Sequence, residues 1–218
     1  MSGSTKKSIT IIGCGPAGIE YCIPFAVDHI KKSDVVIGSR RLLSEYQELC
    51  ENKELIEIDA DVLSLLAKME IIISHNRSIA VLVTGDPGIA SIALSIINFF
   101  GKEICQCIPG ISSVQLACAR LCLDWTNALI INAHKEVPSI PVHNLQLNSL
   151  VIMLCGNKLS WPWILSAAEK LHFTHNGFRC ENLGMKNEKI SLLTLNNITT
   201  LSPGGGNSVL IWKKKEAD

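Results

Sequence analysis

The run Ser8-Ile9-Thr10-Ile11-Ile12-Gly13-Cys14-Gly15-Pro16-Ala17-Gly18 decides the fold class, because a short β-branched stretch ends there abruptly in glycine. Branched side chains fit a pleated strand, and glycines let the backbone turn sharply at its end. The same grammar recurs outward along the chain. Asp34 to Ile37 closes on Gly38, and Ala80 to Val83 closes on Thr84-Gly85-Asp86-Pro87-Gly88. Ile104 to Ile108 closes on Pro109-Gly110, followed by Ser112 and Ser113, which suit the N-cap of a helix. Helical spacing fills the gaps, as in Val62, Leu65, Leu66 and Met69. Strands alternating with helices predict an α/β fold with a mainly parallel sheet.

A second block begins near Trp125. Its expected strands are Leu129 to Asn132, Leu150 to Leu154 and Ser208 to Trp212. Its main helix is expected to be capped by Ser160, to carry Pro162 early, and to run through Ile164 to Leu171. Ser113 to Leu123 reads as a helix leading out of the first block. The expected domains are therefore residues 1–123 and 124–218, both α/β, with mainly parallel or mixed sheets.

Composition narrows the classes. The 218 residues carry 20 Lys plus Arg against 20 Asp plus Glu, with 47% hydrophobic and 18% charged residues. That apolar content excludes a disordered chain, and the absent basic excess excludes a domain that wraps nucleic acid. No run reaches the ~18 uninterrupted apolar residues of a spanning helix. The richest stretch, Ile89 to Phe100, is broken by Ser91, Ser95 and Asn98. Met1 to Ser8 lacks the apolar core of a secretory leader, so a cytoplasmic protein is expected. Nine cysteines are an odd number without any Cys-x-x-Cys pair, and they read as reduced thiols in the core. His172 and His175 have no third ligand placed with them and read as surface histidines, so no metal site is expected. Trp161 and Trp163 read as packing residues, and Lys213 to Lys215 as a solvated tail.

The chemistry resides in the turns. In an open α/β sheet, ligands collect outside the carboxyl ends of the strands. Gly13 to Gly18 matches Gly-x-Gly-x-x-Gly, the pattern of a dinucleotide site. Two features oppose that reading: Pro24 interrupts the following helix, and Gly38-Ser39-Arg40-Arg41 offers no acid to a ribose. Arg40 and Arg41 keep an NADP site open, and a plain strand-to-helix turn stays open too. Asp86, held between Gly85 and Pro87, suits a cation or a ribose hydroxyl, or accepts bonds from its own turn.

Ile12-Gly13-Cys14-Gly15-Pro16, Val83-Thr84-Gly85-Asp86-Pro87 and Ile108-Pro109-Gly110-Ile111-Ser112-Ser113-Val114-Gln115, in this order, resemble the tetrapyrrole methylases. These are S-adenosylmethionine-dependent enzymes that methylate corrin and sirohaem precursors. Ala119 to Trp125, Asn132-Ala133-His134-Lys135 and Glu181 to Ile190 are similar to the branch that methylates C-5 of the corrinoid cobalt-precorrin-7. The chain departs from the family's pattern at Thr84, Ala17, Cys122 and Lys135, where a glycine, or at Thr84 a serine, is commoner.

The resemblance implies a homodimer of two-domain subunits with S-adenosylmethionine in the cleft between domains. The positions matching its cofactor contacts are Pro16, Thr84, Gly85, Asp86, Ile89, Ser112, Ser113, Leu154 and Cys155. The implied reaction is methyl transfer to C-5 of a corrinoid precursor in cobalamin biosynthesis, and it requires no dedicated base, so no catalytic residue is assigned. A polycarboxylate acceptor needs local cations, for which Arg40, Arg41 and His134 at strand ends are the candidates. With Asp218 closing the sequence, C-15 methylation and decarboxylation are expected on a partner protein. Other readings are the same fold acting on another precorrin, uroporphyrinogen, a diphthamide precursor or ribosomal RNA; an NADP- or flavin-dependent oxidoreductase; and a non-catalytic binding module.

Overall fold

A computed structural model describes residues 8–59, 61–198 and 208–215. Met1 to Lys7, on which most of the leader reading rests, lie outside them. The chain divides into two compact units, Met1–Ser112 and Ser113–Asp218. The division falls before the helix Ser113–Arg120, whereas the expected boundary falls after Leu123.

The first unit is a five-stranded parallel sheet in the order β3-β2-β4-β1-β5. Its strands are β1 (Ile9–Gly13), β2 (Val35–Gly38), β3 (Glu54–Glu57), β4 (Ile79–Val83) and β5 (Cys105–Ile108). Four helices cover it: α1 (Pro24–Lys32), α2 (Arg40–Glu45), α3 (Val62–Ser74) and α4 (Ala93–Phe100). Alternation within the strands sorts the core into two layers. Ile9, Ile11, Val35, Ile37, Ile79 and Val81 meet Leu65, Leu66, Met69 and Ile72 of α3 and Ile96 of α4. Ile12, Val36, Ala80, Leu82 and Ile108 meet Ala26 and Ile30 of α1 and Leu42 of α2 on the opposite face. Burial on both faces is why β2 and β4 read as unbroken apolar runs.

Caps set the helix starts. Asp61 accepts the Leu63 and Ser64 amides at 3.1 and 3.2 Å to open α3, and Ser39 accepts the Leu42 amide at 3.4 Å to open α2. Pro24 does not interrupt a helix, as the sequence reading expected; it begins α1, where its missing N–H costs no hydrogen bond.

The second unit is a mixed sheet, β6-β7-β10-β8-β9. Its strands are β6 (Leu129–Ala133), β7 (Leu150–Cys155), β8 (His175–Glu181), β9 (Lys189–Leu193) and β10 (Ser208–Lys214). β6 and β7 run parallel, and the other neighbours are antiparallel. Helix α6 (Trp161–His172) buries Ile164, Ala167, Ala168 and Leu171 against Val151, Met153, Leu210 and Trp212, and Trp161 and Trp163 pack at the edge of this cluster. Helix α5 (Ser113–Arg120) lies against β10.

Several local expectations are corrected. Ser160 makes no cap; its hydroxyl donates to the Glu136 carbonyl at 2.9 Å. His175 is buried rather than superficial, with Nε2 on the Asn148 carbonyl at 2.8 Å and Nδ1 on the Thr174 hydroxyl at 2.7 Å. Lys213 and Lys214 belong to β10, pairing with Asn176 and His175, so the tail begins later than expected. Six of the nine cysteines are buried, but Cys107 and Cys122 are exposed. The helix expected over Ser113 to Leu123 ends earlier, at Arg120. Cys122 then takes a left-handed conformation (φ 51°) while the Leu123 amide returns to the Cys118 carbonyl at 2.9 Å. That is the position where the family's usual glycine would carry no side-chain strain.

Candidate functional site

Strand order gathers the turns. β4, β1 and β5 are neighbours, so Thr84 to Gly88, Cys14 to Gly18 and Pro109 to Gly110 emerge side by side at the carboxyl end of the first sheet. The backbones are closely fitted there. Gly85 N–H donates to the Gly15 carbonyl at 2.8 Å, and Gly15 N–H returns to Gly85 at 3.3 Å. A Cβ on Gly13 would sit 2.5 Å from the Gly110 nitrogen and 2.7 Å from the Gly85 carbonyl oxygen, and one on Gly110 would overlap the same Gly85 oxygen. Glycine is required at these positions by the approach of backbone to backbone.

Asp86 fastens the assembly. Its Oδ1 accepts the Gly88 amide at 2.7 Å, and its Oδ2 accepts the Gly110 amide of the next turn at 3.1 Å. The carboxylate thus serves both its own turn and the one after β5. Ile89 follows half-buried, its amide on the Asp86 carbonyl at 3.1 Å. Ala90 is held at φ 52°, a conformation that costs a non-glycine residue roughly 1–2 kcal/mol. Pro16 is buried in the first turn, and Thr84 is exposed at the head of the second. Ser112 is buried, and Ser113 opens α5.

The two arginines separate. Arg41 Nη2 donates to Thr84 Oγ1 at 2.8 Å, while its Nη1 reaches both Glu45 oxygens at 2.8 Å. Arg40 points elsewhere: its side chain is 86% exposed and meets Glu57 at 3.2 Å. Arg41 therefore belongs beside the second turn, with a carboxylate already in attendance, and Arg40 is a surface cation near an edge strand.

In the second unit, Leu154 and Cys155 end β7, and Ala133 pairs with Cys155, which places His134 immediately beyond. His134 Nδ1 bonds the Cys155 carbonyl at 3.2 Å, and its amide donates to Asn132 Oδ1 at 3.1 Å. A carbonyl partner fixes the proton on Nδ1, so Nε2 is left as the acceptor in the neutral ring. Any Cβ on Gly156 would strike the His134 ring, so a glycine after Cys155 makes room for it. Burial pushes the Cys155 thiol up to about 12, so this sulfur is a thiol, not a nucleophile, at neutral pH.

Some residues of this region have no signal in the sequence. Tyr46 is buried in the layer under α1 and α2, and its hydroxyl donates to the Cys14 carbonyl at 2.9 Å and the Gly18 carbonyl at 3.3 Å, closing the first turn. Glu45 and Asn132 are likewise ordinary polar residues until the fold places them. Arg120 and Glu188 lie in two segments quoted for the C-5 branch, and they pair at 2.7 Å while Glu188 Oε2 caps the Gly184 amide at 2.6 Å. The Arg120 hydrogen bond, with the Gly184 amide, holds the Glu188 carboxyl below its usual range.

The first turn is a poor pyrophosphate cradle. A 3-10 turn, Ile19–Tyr21, follows Gly18, and α1 starts only at Pro24, which has no N–H to offer. Arg41, the nearby cation, is already matched by Glu45. Backbone groups, one hydroxyl and two carboxylates suit a neutral or cationic ligand with polar edges better than a diphosphate.

The chain matches the tetrapyrrole (corrin/porphyrin) methylases over residues 8–199. It is similar to the probable cobalt-precorrin-7 C(5)-methyltransferase of Methanocaldococcus jannaschii, at 31% identity over 201 residues, 87% of this chain and 90% of that protein. The cobalt-precorrin-7 C(5)-methyltransferase of Salmonella typhimurium is 28% identical over 196 residues, 87% of this chain and 92% of that one. Among solved structures, the uroporphyrin-III C-methyltransferase of Thermus thermophilus complexed with S-adenosylhomocysteine has a TM-score of 0.73 at 15% identity, over 94% of this chain and 96% of that one. No helix among the described residues is long and apolar enough to cross a membrane.

Proposed function

The chain belongs to the tetrapyrrole methylase family, and from that premise we propose that it methylates C-5 of cobalt-precorrin-7 in cobalamin biosynthesis, using S-adenosylmethionine. The observation that carries the acceptor is the likeness to two C(5)-methyltransferases along most of both chains. S-adenosylmethionine supplies an electrophilic methyl group on a sulfonium, a good leaving group. Pro16, Thr84, Gly85, Asp86, Ile89, Ser112 and Ser113 would hold it from the three turns, with Leu154 and Cys155 from the end of β7. Thr84 offers a hydroxyl, the glycines allow close backbone approach, and Asp86 holds the second and third turns in fixed register.

A ring carbon of an electron-rich macrocycle is already nucleophilic, so the protein's share of the reaction is alignment. Good alignment of two reactants is worth on the order of 7–11 kcal/mol. No side chain is assigned as acid or base. Arg41 is the cation placed to meet acceptor carboxylates, and His134 joins it only as an imidazolium, whose Nε2 then carries a proton to donate; Arg40, facing solvent, is the weaker candidate. A homodimer and a cytoplasmic location belong to the same reading. Calorimetric titration separates the cofactor classes: S-adenosylhomocysteine is expected to bind and NADPH to give no heat. Tight NADPH binding without any response to S-adenosylmethionine would overturn the assignment.

A further inference from the structure

Tyr46 stands at the end of α2, its side chain buried in the cluster that holds Cys14, Ile30, Leu42 and Leu82. Its backbone is fixed from both sides. The Tyr46 amide donates to the Leu42 carbonyl at 3.0 Å, and the Tyr46 carbonyl accepts the Leu49 amide at 2.9 Å. From that anchored position the hydroxyl reaches the first turn, donating to the Cys14 carbonyl at 2.9 Å and to the Gly18 carbonyl at 3.3 Å. One phenolic proton serves both carbonyls, and the bond to Cys14 is the shorter. Burial, above all, pushes this hydroxyl far above its ordinary range, so it stays protonated and donating at neutral pH.

The segment between those two carbonyls needs such support. Gly15 and Gly18 take left-handed backbone values, φ 74° and 59°, and glycine has more conformational freedom to lose than any other residue. Pro16 lies between the two bonded carbonyls. Gly15 exchanges backbone hydrogen bonds with Gly85 at 2.8 and 3.3 Å, so the position of the first turn is passed to the turn that carries Thr84 and Asp86. The neighbouring side chain reaches that second turn separately, because Glu45 holds Arg41 and Arg41 donates to Thr84. The end of α2 thus reaches both turns.

We propose that Tyr46 is a positioning residue for the S-adenosyl ligand, its hydroxyl holding the first turn in the shape that binds. The proposal rests on the cofactor reading above, and Tyr46 acts in it through Pro16 and Gly15 rather than by contact. Without the hydroxyl the turn spends less of its time in the binding shape, and the apparent affinity falls by that fraction. The net worth of one intramolecular hydrogen bond corresponds to about threefold to tenfold in such an equilibrium. Asp86 keeps its own bonds to Gly88 and Gly110, and Arg41 keeps Glu45, so the effect belongs to the cofactor side of the site.

Tyr46→Phe tests this directly, because it keeps the buried ring and removes only the hydroxyl. Calorimetry well below the unfolding transition is expected to show S-adenosylhomocysteine binding about threefold to tenfold more weakly. Hydrogen exchange should quicken in the peptide spanning Cys14 to Cys22 and slow again when ligand saturates the variant. Ile30→Ala is the control, since it opens a cavity in the same layer and leaves the hydroxyl in place. It should lower the unfolding midpoint at least as far as Tyr46→Phe, with S-adenosylhomocysteine affinity unchanged. Equal affinity in Tyr46→Phe and wild type, or a loss in Ile30→Ala as large as in Tyr46→Phe, would overturn the proposal. Failure of the wild type to bind any S-adenosyl ligand would refute the cofactor reading and the proposed ligand with it. Exchange in the unliganded proteins is a separate measure: a first turn that exchanges no faster in Tyr46→Phe would refute the support by the hydroxyl itself.

Discussion

Asp86 Oδ2 accepts the Gly110 amide at 3.1 Å, so one carboxylate joins the turn after β4 to the turn after β5. Its other oxygen accepts Gly88 within its own turn at 2.7 Å. The sequence posed a ligand-facing acid and a self-satisfied turn acid as alternatives; the geometry shows the bond within its own turn and adds a further task, holding that turn to the one after β5.

Replacing Asp86 should therefore weaken both stability and binding. Asp86→Ala leaves two backbone amides without their charged acceptor and is expected to cost about 1–3 kcal/mol in denaturant unfolding. Affinity for S-adenosylhomocysteine, measured by calorimetry well below the unfolding transition, should fall with it. Unchanged stability would show that the Gly110 bond contributes nothing; unchanged affinity would remove Asp86 from the site.

Arg41 is shared between Thr84 and Glu45. If it meets an acceptor carboxylate, Arg41→Ala should raise the substrate KM about tenfold while changing cofactor affinity much less. Glu45→Gln should act in the opposite direction by freeing the guanidinium. Equal effects of Arg41→Ala on substrate and cofactor would place the residue in the cofactor turn alone.

Cys122 occupies a left-handed position at the end of α5. Cys122→Gly relieves that strain but loosens the unfolded chain, and a net gain of about 0.5–1 kcal/mol in urea unfolding is expected. A loss of stability would mean that the thiol makes a contact worth more than the strain.

Burial holds His175 below its ordinary value of 6.5. Its Nε2–H donates to the Asn148 carbonyl, and its unprotonated Nδ1 accepts from Thr174. The unfolded chain takes up the proton first, so the contribution is complete above pH 6.5 and is lost as pH falls through the lower folded value. His175→Gln keeps an amide donor near Nε2 and removes the titration. Its stability should vary less between neutral and mildly acid pH than that of the wild type, and an identical acid profile would contradict the assignment.

The first unit was legible because every residue of β2 and β4 is apolar or glycine and each strand is terminated by glycine, which leaves no other use for those runs. β3, β8 and β9 went unread for a physical reason. Among the described residues β3 pairs only with β2, and it leaves Glu54, Leu55 and Glu57 exposed, while β8, His-Asn-Gly-Phe-Arg-Cys-Glu, has just Phe178 and Cys180 as large apolar side chains, too short an alternation to read as a strand. Their strand identity comes from backbone pairing with neighbours distant in sequence. The turns were visible as glycine clusters, but their convergence depends on β4, β1 and β5 being adjacent, which is a property of sheet order. Tyr46 and Glu45 could not be found from spacing, since neither carries a motif. His175 was misassigned because a histidine near a helix end looks superficial until Asn148 and Thr174 are seen beside it.

The central claim is tested most directly by a single turnover of the purified protein with cobalt-precorrin-7 and methyl-labelled S-adenosylmethionine, with the labelled position read by NMR. One methyl group at C-5 and one equivalent of S-adenosylhomocysteine are expected. Transfer to a different carbon, or no transfer to cobalt-precorrin-7 by protein that binds S-adenosylmethionine and methylates another acceptor, would contradict it.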